Sequence, residues 1–261
     1  MSFAVETVAP VTVTSVPQPT AGSTVDSGTV AVTDPASSTN PVTVGGTATV
    51  ALGTEGAGVV LTGNARVTVG TDANGNALGI GGSTIDARGA NGVVVSLAGG
   101  NAGGAVVDPG RLPNRAPSGS YNTYTKLSDG TDDFLGSEFN DLIELSPGND
   151  VVVGGGGDDA ILMADSIKGS KKKFTLDGSG GNAGADGADT VTLAKGALKK
   201  GKAKIVISDY DYKRDTIELD TKRKKVKGIG SDTLKISTKN DKRIKIVSDG
   251  TKFKRSGIEF I

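Results

Sequence analysis

The sequence predicts an all-β fold with a short repeat region near its middle, and three observations support this prediction. Residues 128–163 repeat every nine residues, with one aspartate and one apolar residue at fixed places in each unit. The 40 glycines and the aromatic content of 4% argue against one large core of bulky side chains. Residues 233–260 alternate apolar and polar side chains, as half-buried strands do.

The repeat region reads, in register, SDGTDDFLG, SEFNDLIEL, SPGNDVVVG and GGGDDAILM. Every unit carries an aspartate, and an apolar side chain follows it by two residues. A glycine precedes the aspartate by two residues, except in the second unit, where Phe139 takes that place. The aspartates are Asp132, Asp141, Asp150 and Asp159, the apolar residues are Phe134, Ile143, Val152 and Ile161, and the glycines are Gly130, Gly148 and Gly157.

One apolar residue in nine cannot form a helical face, which needs one every three or four residues. The spacing fits a short strand that alternates with a tight turn, in which glycines adopt positive φ. In a stack of such units neighbouring strands lie about 4.8 Å apart, so aspartates in successive turns would repel one another. Calcium would relieve this repulsion, because it binds about six to eight oxygen atoms. The alternative is a disordered Gly/Asp-rich linker, which has no reason to keep aspartates and hydrophobes in phase.

These units resemble the nonapeptide repeat G-G-x-G-x-D-x-U-x of the RTX, or hemolysin-type calcium-binding, family. The resemblance implies a parallel β-roll in which two nonapeptides complete one coil. Asp132 and Asp150 would then lie on one side of the roll, and Asp141 and Asp159 on the other, with about two or three calcium ions between turns. The candidate metal-binding residues are the four aspartates and three glycines, together with Asn149, Asp158 and, from the later repeat-like stretch GGNAGADGADTVTL (180–193), Asp189 and Asp186.

The composition excludes several classes of catalytic site. The chain has no histidine and no cysteine, which rules out Ser-His-Asp and Cys-His catalysis, histidine–zinc sites and a disulfide framework. No apolar run is long enough for a transmembrane helix. Because the phased aspartates are better explained as ligands than as acid–base pairs, we expect no enzymatic activity.

The net charge is zero, but the charges are segregated along the chain. Residues 1–165 hold 5 Lys and Arg against 17 Asp and Glu, and residues 166–261 hold 24 against 12. This asymmetry suggests a basic surface for an acidic partner, or two modules of separate origin. The candidate partner-binding residues are Lys222, Arg223, Lys224, Lys225, Arg243 and Lys245. Solvated lysines that protect sheet edges are the simpler explanation.

Composition divides the chain into five segments. Residues 1–44, rich in Thr, Ser, Val and Pro, predict a mostly disordered arm. Residues 45–107 predict a Gly-rich β region, which is either a small sheet or coils leading into the repeats. Residues 108–126, with three prolines and no periodicity, predict a linker. The calcium-binding roll would span 127–165, and a basic β-rich region with a possible secretion signal would span 166–261.

The C-terminal region predicts antiparallel pairs. The strands expected are AKIVIS with DTIELD, DTLKIS with RIKIV, and KFKR with IEFI. Alternation assigns the apolar residues of these strands to the inner face, namely Leu234, Ile236, Ile244, Ile246, Phe253, Ile258 and Phe260. It assigns the basic residues to the outer face, namely Lys235, Arg243, Lys245, Lys252 and Lys254.

Two functions are compatible with these patterns. The first is a secreted, calcium-binding protein with a structural or cell-surface role, which folds when it meets calcium outside the cell. The chain begins without the basic start and apolar core of a secretory signal peptide, and the RTX resemblance implies type I secretion through an uncleaved C-terminal signal. The second is a calcium-dependent surface-layer or matrix adhesin that binds anionic polysaccharide through the basic C-terminal sheet. Single-stranded nucleic acid is disfavoured, because that face lacks aromatic residues for base stacking.

Overall fold

The computed structural model describes residues 6–100, 105–164, 167, 169–177, 187–198, 202–222, 225–237 and 243–261. Within these ranges the chain forms 22 strands, which alternate between two sheets. Short helices are confined to connections: α1 (Lys195–Leu198) and 3-10 turns at Val13–Ser15, Pro35–Ser38, Pro109–Arg111 and Arg255–Gly257. The all-β prediction is confirmed.

Sheet 1 contains mainly the odd-numbered strands. In spatial order these are β19 (Val226–Lys227), β20 (Thr233–Ser237), β21 (Arg243–Ser248), β17 (Ala203–Ser208), β15 (Lys171–Asp177), β13 (Val151–Gly155), β11 (Asp133–Leu135), β9 (Val94–Ser96), β7 (Arg66–Thr71), β5 (Thr49–Leu52) and β3 (Thr29–Val32), with β1 (Val11–Thr12) beside β7. All pairs are parallel except β19–β20 and β20–β21.

Sheet 2 is parallel throughout and contains the even-numbered strands. Its order is β2 (Thr24–Val25), β4 (Val42–Val44), β6 (Gly58–Gly63), β8 (Ser83–Ala90), β10 (Thr123–Lys126), β12 (Asp141–Leu145), β14 (Ala160–Met163), β16 (Thr190–Leu193), β18 (Thr216–Leu219) and β22 (Ile258–Phe260). The chain therefore winds as a coil that contributes one strand to each sheet in turn.

The repeat region lies in the middle of this coil. Phe134 pairs with Val152 in sheet 1, and Ile143 pairs with Ile161 in sheet 2. Both pairs are two nonapeptides apart, as the resemblance implied for one coil. All four side chains are buried in one core between the sheets, which runs from Val30 to Ile258. One apolar side chain per half-coil is sufficient because each stacks on its counterpart in the next coil.

The N-terminal 44 residues differ from the disordered arm that composition predicts. Their described part contains β1 to β4, and Val30, Val32, Val42 and Val44 are buried in the main core. These valines alternate with the small residues Ala31 and Thr43, a pattern too weak to predict a core alone. The following strands β5 and β6 supply the partner surface, so packing overrides the local preference.

The next two segments also belong to the coil. The Gly-rich region 45–107 contributes β5 to β9, and β9 pairs directly with β11 of the repeat region. The expected linker 108–126 ends in β10, which pairs with β8 and β12. Its proline-rich part packs on the outside of sheet 2, where Tyr121 is buried beside Leu142 and Leu162.

Only one of the three antiparallel pairs expected in the C-terminal region is present. Strands β20 and β21 form a hairpin with Leu234 opposite Ile246. By contrast, β17 and β18 lie in different sheets, and β22 pairs in parallel with β18, not with residues 252–255. In a coil, consecutive strands face each other across the core, so adjacency in sequence does not imply pairing. The predicted inner face is buried as expected, apart from the partly buried Phe260.

Candidate metal centre in the aspartate columns

The four repeat aspartates are buried at the places where the chain enters strands β11 to β14. Asp132, Asp141 and Asp150 have no exposed surface, and Asp159 is 3% exposed. Burial is the main cause that raises the pKa of Asp132, and it raises the pKa of Asp141 and of Asp150 to about 6. A buried carboxylate is unfavourable unless donors or cations surround it, so its partners decide what each aspartate does.

Asp141 and Asp159 belong to a column beside sheet 2 that continues to Asp189 and Asp215. From Asp159 onward, each carboxylate accepts a hydrogen bond from the main-chain N–H of the preceding aspartate in the column. The distances are 2.8 Å from Asp141 N to Asp159 Oδ1, 2.9 Å from Asp159 N to Asp189 Oδ1 and 3.2 Å from Asp189 N to Asp215 Oδ1. This arrangement, the aspartate ladder, ties successive coils together with hydrogen bonds.

Further donors complete the two ends of the aspartate ladder. Asp141 accepts from the Thr123 hydroxyl at 2.6 Å and from the main-chain N–H of Ser137 at 2.7 Å. At the other end, Asp215 accepts from Asp211 N at 2.6 Å. Hydrogen bonds to a carboxylate stabilise its charged form. On this side of the coil, hydrogen bonds from main-chain N–H groups therefore stabilise the buried carboxylates, a role that the repeat pattern assigned to calcium.

Asp132 and Asp150 form the column beside sheet 1. Their surroundings differ from those of the aspartate ladder. Asp133 pairs with Val151, so Asp132 and Asp150 stand opposite each other one residue earlier, in strands about 4.8 Å apart. Asp132 Oδ1 accepts from Val93 N at 2.8 Å and from Ser128 Oγ at 2.7 Å. Asp132 Oδ2 and Asp150 Oδ1 are buried, and neither has a hydrogen-bond partner among the described residues.

Lys172 stands in the next coil, opposite Asp150, where the column would otherwise continue with an aspartate. Its ammonium group contacts Asp150 Oδ2 and the carbonyl oxygens of Ser146, at 2.7 Å, and Gly148, at 3.5 Å. Both charged side chains are completely buried. The positive charge of Lys172 offsets part of the rise that burial causes in the pKa of Asp150, whereas the charge of Asp132 adds to it.

The repeat glycines allow successive turns to approach closely. A Cβ at Gly148 would lie 2.0 Å from the Gly130 carbonyl oxygen and 2.8 Å from Asp150 Oδ1. The same carbonyl oxygen and carboxylate oxygen therefore converge on the space beside Gly148. A Cβ at Gly130 would lie 1.8 Å from the carbonyl oxygen of Asn91, and one at Gly157 would lie 2.7 Å from the carbonyl carbon of Phe139. Gly157 also has a φ of +89°. The side chain of Phe139 is 36% exposed.

The remaining candidate ligands lie outside the pair Asp132 and Asp150. Asn149 and Asp158 face solvent. The Asn149 side chain accepts a hydrogen bond from the main-chain N–H of Lys171 in the next coil, and the Asp158 side chain accepts one from that of Ala188. Asp189 lies within the aspartate ladder, and Asp186 is outside the described residues. The described part of the chain contains no cluster of three acidic side chains arranged around one point. The candidate centre is therefore the pair Asp132 and Asp150 with adjacent carbonyl groups.

Two residues of the aspartate columns, Asp215 and Lys172, are not among those that the nonapeptide repeat predicted. Asp215 begins the sequence DTIEL, which has the same aspartate-to-hydrophobe spacing as the repeats and could have been found. Lys172 follows Asp150 by 22 residues instead of 18, so the nine-residue period cannot align the two. In the structure Lys172 lies within β15.

The basic residues chosen from sequence do not form one cluster in the described structure. Lys222 and Lys225 are exposed on a connection between strands, and Lys245 lies on the outer face of sheet 1. Arg223 and Lys224 fall outside the described residues, as does the side chain of Arg243.

The chain matches no protein-family model, and no curated protein is significantly similar to it. Among the described residues, no helix has the length and apolar character needed to span a membrane.

Proposed function

We propose that the protein is a secreted, RTX-like calcium-binding protein in which the ion holds successive turns of a two-sheet β-roll together. The observation that carries this proposal is the pair of buried carboxylate oxygens, Asp132 Oδ2 and Asp150 Oδ1, which have no hydrogen-bond partner among the described residues. Unpaired buried carboxylate oxygens are costly. The two aspartates lie one coil apart in the same column, and the carbonyl oxygen of Gly130 and Asp150 Oδ1 both border the space beside Gly148.

This donor set fits calcium in its chemistry. Calcium prefers carboxylate and main-chain carbonyl oxygens and tolerates irregular geometry. Asp132, Asp150 and the turn carbonyls would hold the ion, and it would neutralise two carboxylates that burial otherwise destabilises. Magnesium fits less well, because it requires a near-octahedral site and retains bound water.

We propose further that Lys172 supplies a tethered cation at the next position of the same column. Its ammonium group contacts Ser146, Gly148 and Asp150. These residues correspond to Ser128, Gly130 and Asp132 one coil earlier. The column beside sheet 1 would therefore bind one calcium ion between the coils of Asp132 and Asp150, and a lysine would replace the next ion.

Calcium binding would stabilise the folded state relative to the unfolded chain. A ligand that binds only the folded state stabilises it by RT ln(1 + [L]/Kd). Extracellular calcium modules have dissociation constants of about 10⁻⁴–10⁻³ M, so such a site is empty inside a cell and filled outside it. The ion would favour the folded coil after export and would have a structural role.

Thermal unfolding in chelator, in calcium and in magnesium tests this proposal. We expect millimolar calcium to raise the melting temperature and magnesium to have a smaller effect. The variant Asp132→Asn should lose the calcium-dependent increase. The control Asp129→Asn removes the same charge from an exposed position in the same turn and should retain it. Identical melting curves of the wild-type protein in chelator and in calcium would refute the proposal.

A further inference from the structure

A row of five lysines crosses the C-terminal half of sheet 1. Adjacent members face each other in register on five neighbouring strands, β15, β17, β21, β20 and β19. Since neighbouring strands lie about 4.8 Å apart, the row is about 19 Å long. We call this set, which consists of Lys171, Lys204, Lys245, Lys235 and Lys227, the lysine row.

The lysine row is exposed, whereas its neighbours along each strand are buried. All five lysines are exposed, and inward residues such as Ile205, Ile246 and Leu234 flank them in sequence. No carboxylate among the described residues forms an ion pair with any of the five. Of the described residues that line the two clefts around the row, only Asp232 is acidic.

Such a row opposes stability. Like charges directly opposite each other on neighbouring strands are destabilising. A spacing of about 4.8 Å is shorter than the Debye length of about 8 Å at physiological ionic strength, so salt screens the repulsion incompletely. Scattered lysines would keep the sheet soluble and protect its edges without this repulsion. The aligned arrangement therefore indicates a surface suited to a partner that is itself a line of negative charges.

The surface around the row is grooved. One shallow cleft is lined by Lys171, Lys202, Lys204 and Lys245, and a second by Lys204, Lys227, Lys235 and Lys245 with Ser231 and Thr233. Lys204 and Lys245 line both clefts, so the two adjoin along the lysine row. Together they form an open groove that follows the lysine row across the strands.

We propose that this groove binds a linear anionic polysaccharide with one carboxylate on each sugar. Lysine ammonium groups are compact charges with three donors on flexible stems, which suits carboxylates of variable orientation along a polymer. The described lining contains no aromatic side chain, so bases of a single-stranded nucleic acid have nothing to stack on. It also lacks the large apolar side chains that insert into a lipid surface. This inference is independent of the calcium site.

Binding to a polyuronate tests the inference directly. The probe is an oligomer of galacturonic acid, with dextran, single-stranded DNA and anionic phospholipid vesicles for comparison. We expect the wild-type protein to bind the polyuronate, with an affinity that falls as salt rises, and to ignore dextran. The row variant K204Q/K235Q/K245Q should bind roughly 100-fold more weakly, about fivefold for each lysine removed from an anionic surface.

The matched control K195Q/K213Q/K252Q removes the same charge from exposed lysines outside the row. It should bind like the wild-type protein to within about threefold, since only long-range attraction is lost. Circular dichroism should show both variants folded, and the row variant should be no less stable than wild type, because repulsion has been removed. Equal loss of binding in both variants would overturn the inference, as would DNA or vesicles binding more tightly than the polyuronate.

Discussion

The ammonium group of Lys172 lies against the carboxylate of Asp150 in the interior of the coil, with no part of either side chain exposed. The other carboxylate oxygen of Asp150, Oδ1, is buried and has no hydrogen-bond partner among the described residues. Asp150 is thus half satisfied by a cation from the protein. The other half is where we propose a cation from solution.

Replacing Lys172 tests whether its ammonium group takes the place of a calcium ion beside Asp150. Lys172→Ala should lower the free energy of unfolding in chelator by about 3–5 kcal/mol, because it leaves Asp150 buried and unpaired. Millimolar calcium should recover much of this loss by entering the vacated position, and calorimetry should count one more bound ion than in wild type. Denaturant unfolding measures the stability.

The neighbouring Lys171 provides the control for that experiment. Its side chain is exposed, so Lys171→Ala should change stability by less than about 0.5 kcal/mol in either buffer. If Lys172→Ala were equally destabilised in chelator and in calcium, with an unchanged ion count, the role of Lys172 as a substitute cation would be wrong.

The metal-free protein should lose stability as pH rises between about 4 and 6. The pKa of Asp141 and of Asp150 is raised from 3.8 to about 6 in the folded state, so the folded state holds more protons than the unfolded state in this range. Stability then decreases with increasing pH, and each unit of pKa difference corresponds to about 1.4 kcal/mol. Denaturant unfolding in chelator at several pH values measures the slope.

Calcium provides the contrast for the pH experiment. Because the ion competes with protons for carboxylates, saturating calcium should flatten the decrease. Asp141→Asn should also reduce the slope in chelator, since it removes one of the two titrating groups. Stability that stays constant or rises from pH 4.5 to pH 7 in chelator would contradict the assignment of raised pKa values to these aspartates.

Crowding at Gly148 predicts a large effect of a single methyl group. Gly148→Ala should destabilise the protein by more than about 2 kcal/mol, because the new Cβ would overlap the Gly130 carbonyl oxygen and main-chain atoms must shift. Gly99→Ala is the comparison: Gly99 has a φ of +75° but open space around it, so it should lose only about 1 kcal/mol. Thermal unfolding distinguishes the two, and equal losses would show that the turns are not closely stacked.

The repeat predicted the centre of the fold well for a physical reason. Phe134, Ile143, Val152 and Ile161 recur every nine residues, which predicted their burial in a stack of units, and the RTX resemblance implied the pairing of units two repeats apart. The period is lost where a coil contains a longer connection, as between Asp150 and Lys172 or Asp159 and Asp189. Strand pairing continues there, but the sequence has no regular period from which that pairing could be predicted.

The N-terminal region shows a second limit of prediction. Val30, Val32, Val42 and Val44 lie among Thr, Ser and Pro residues that favour disorder, yet the structure buries them. Their burial depends on β5 and β6, which lie later in the sequence. The lysine row was hidden for a similar reason, because only the register of five separate strands brings Lys171 and Lys227 into one line.

A crystal structure grown in millimolar calcium tests the central claim most directly. We predict an ion between Asp132 and Asp150, bound to Asp132 Oδ2, Asp150 Oδ1 and turn carbonyl oxygens at about 2.3–2.6 Å, with Lys172 still in contact with Asp150. An anomalous signal from calcium would identify it. The claim would be contradicted by a water molecule or a protonated carboxylate pair at this position, with calcium absent at saturating concentration.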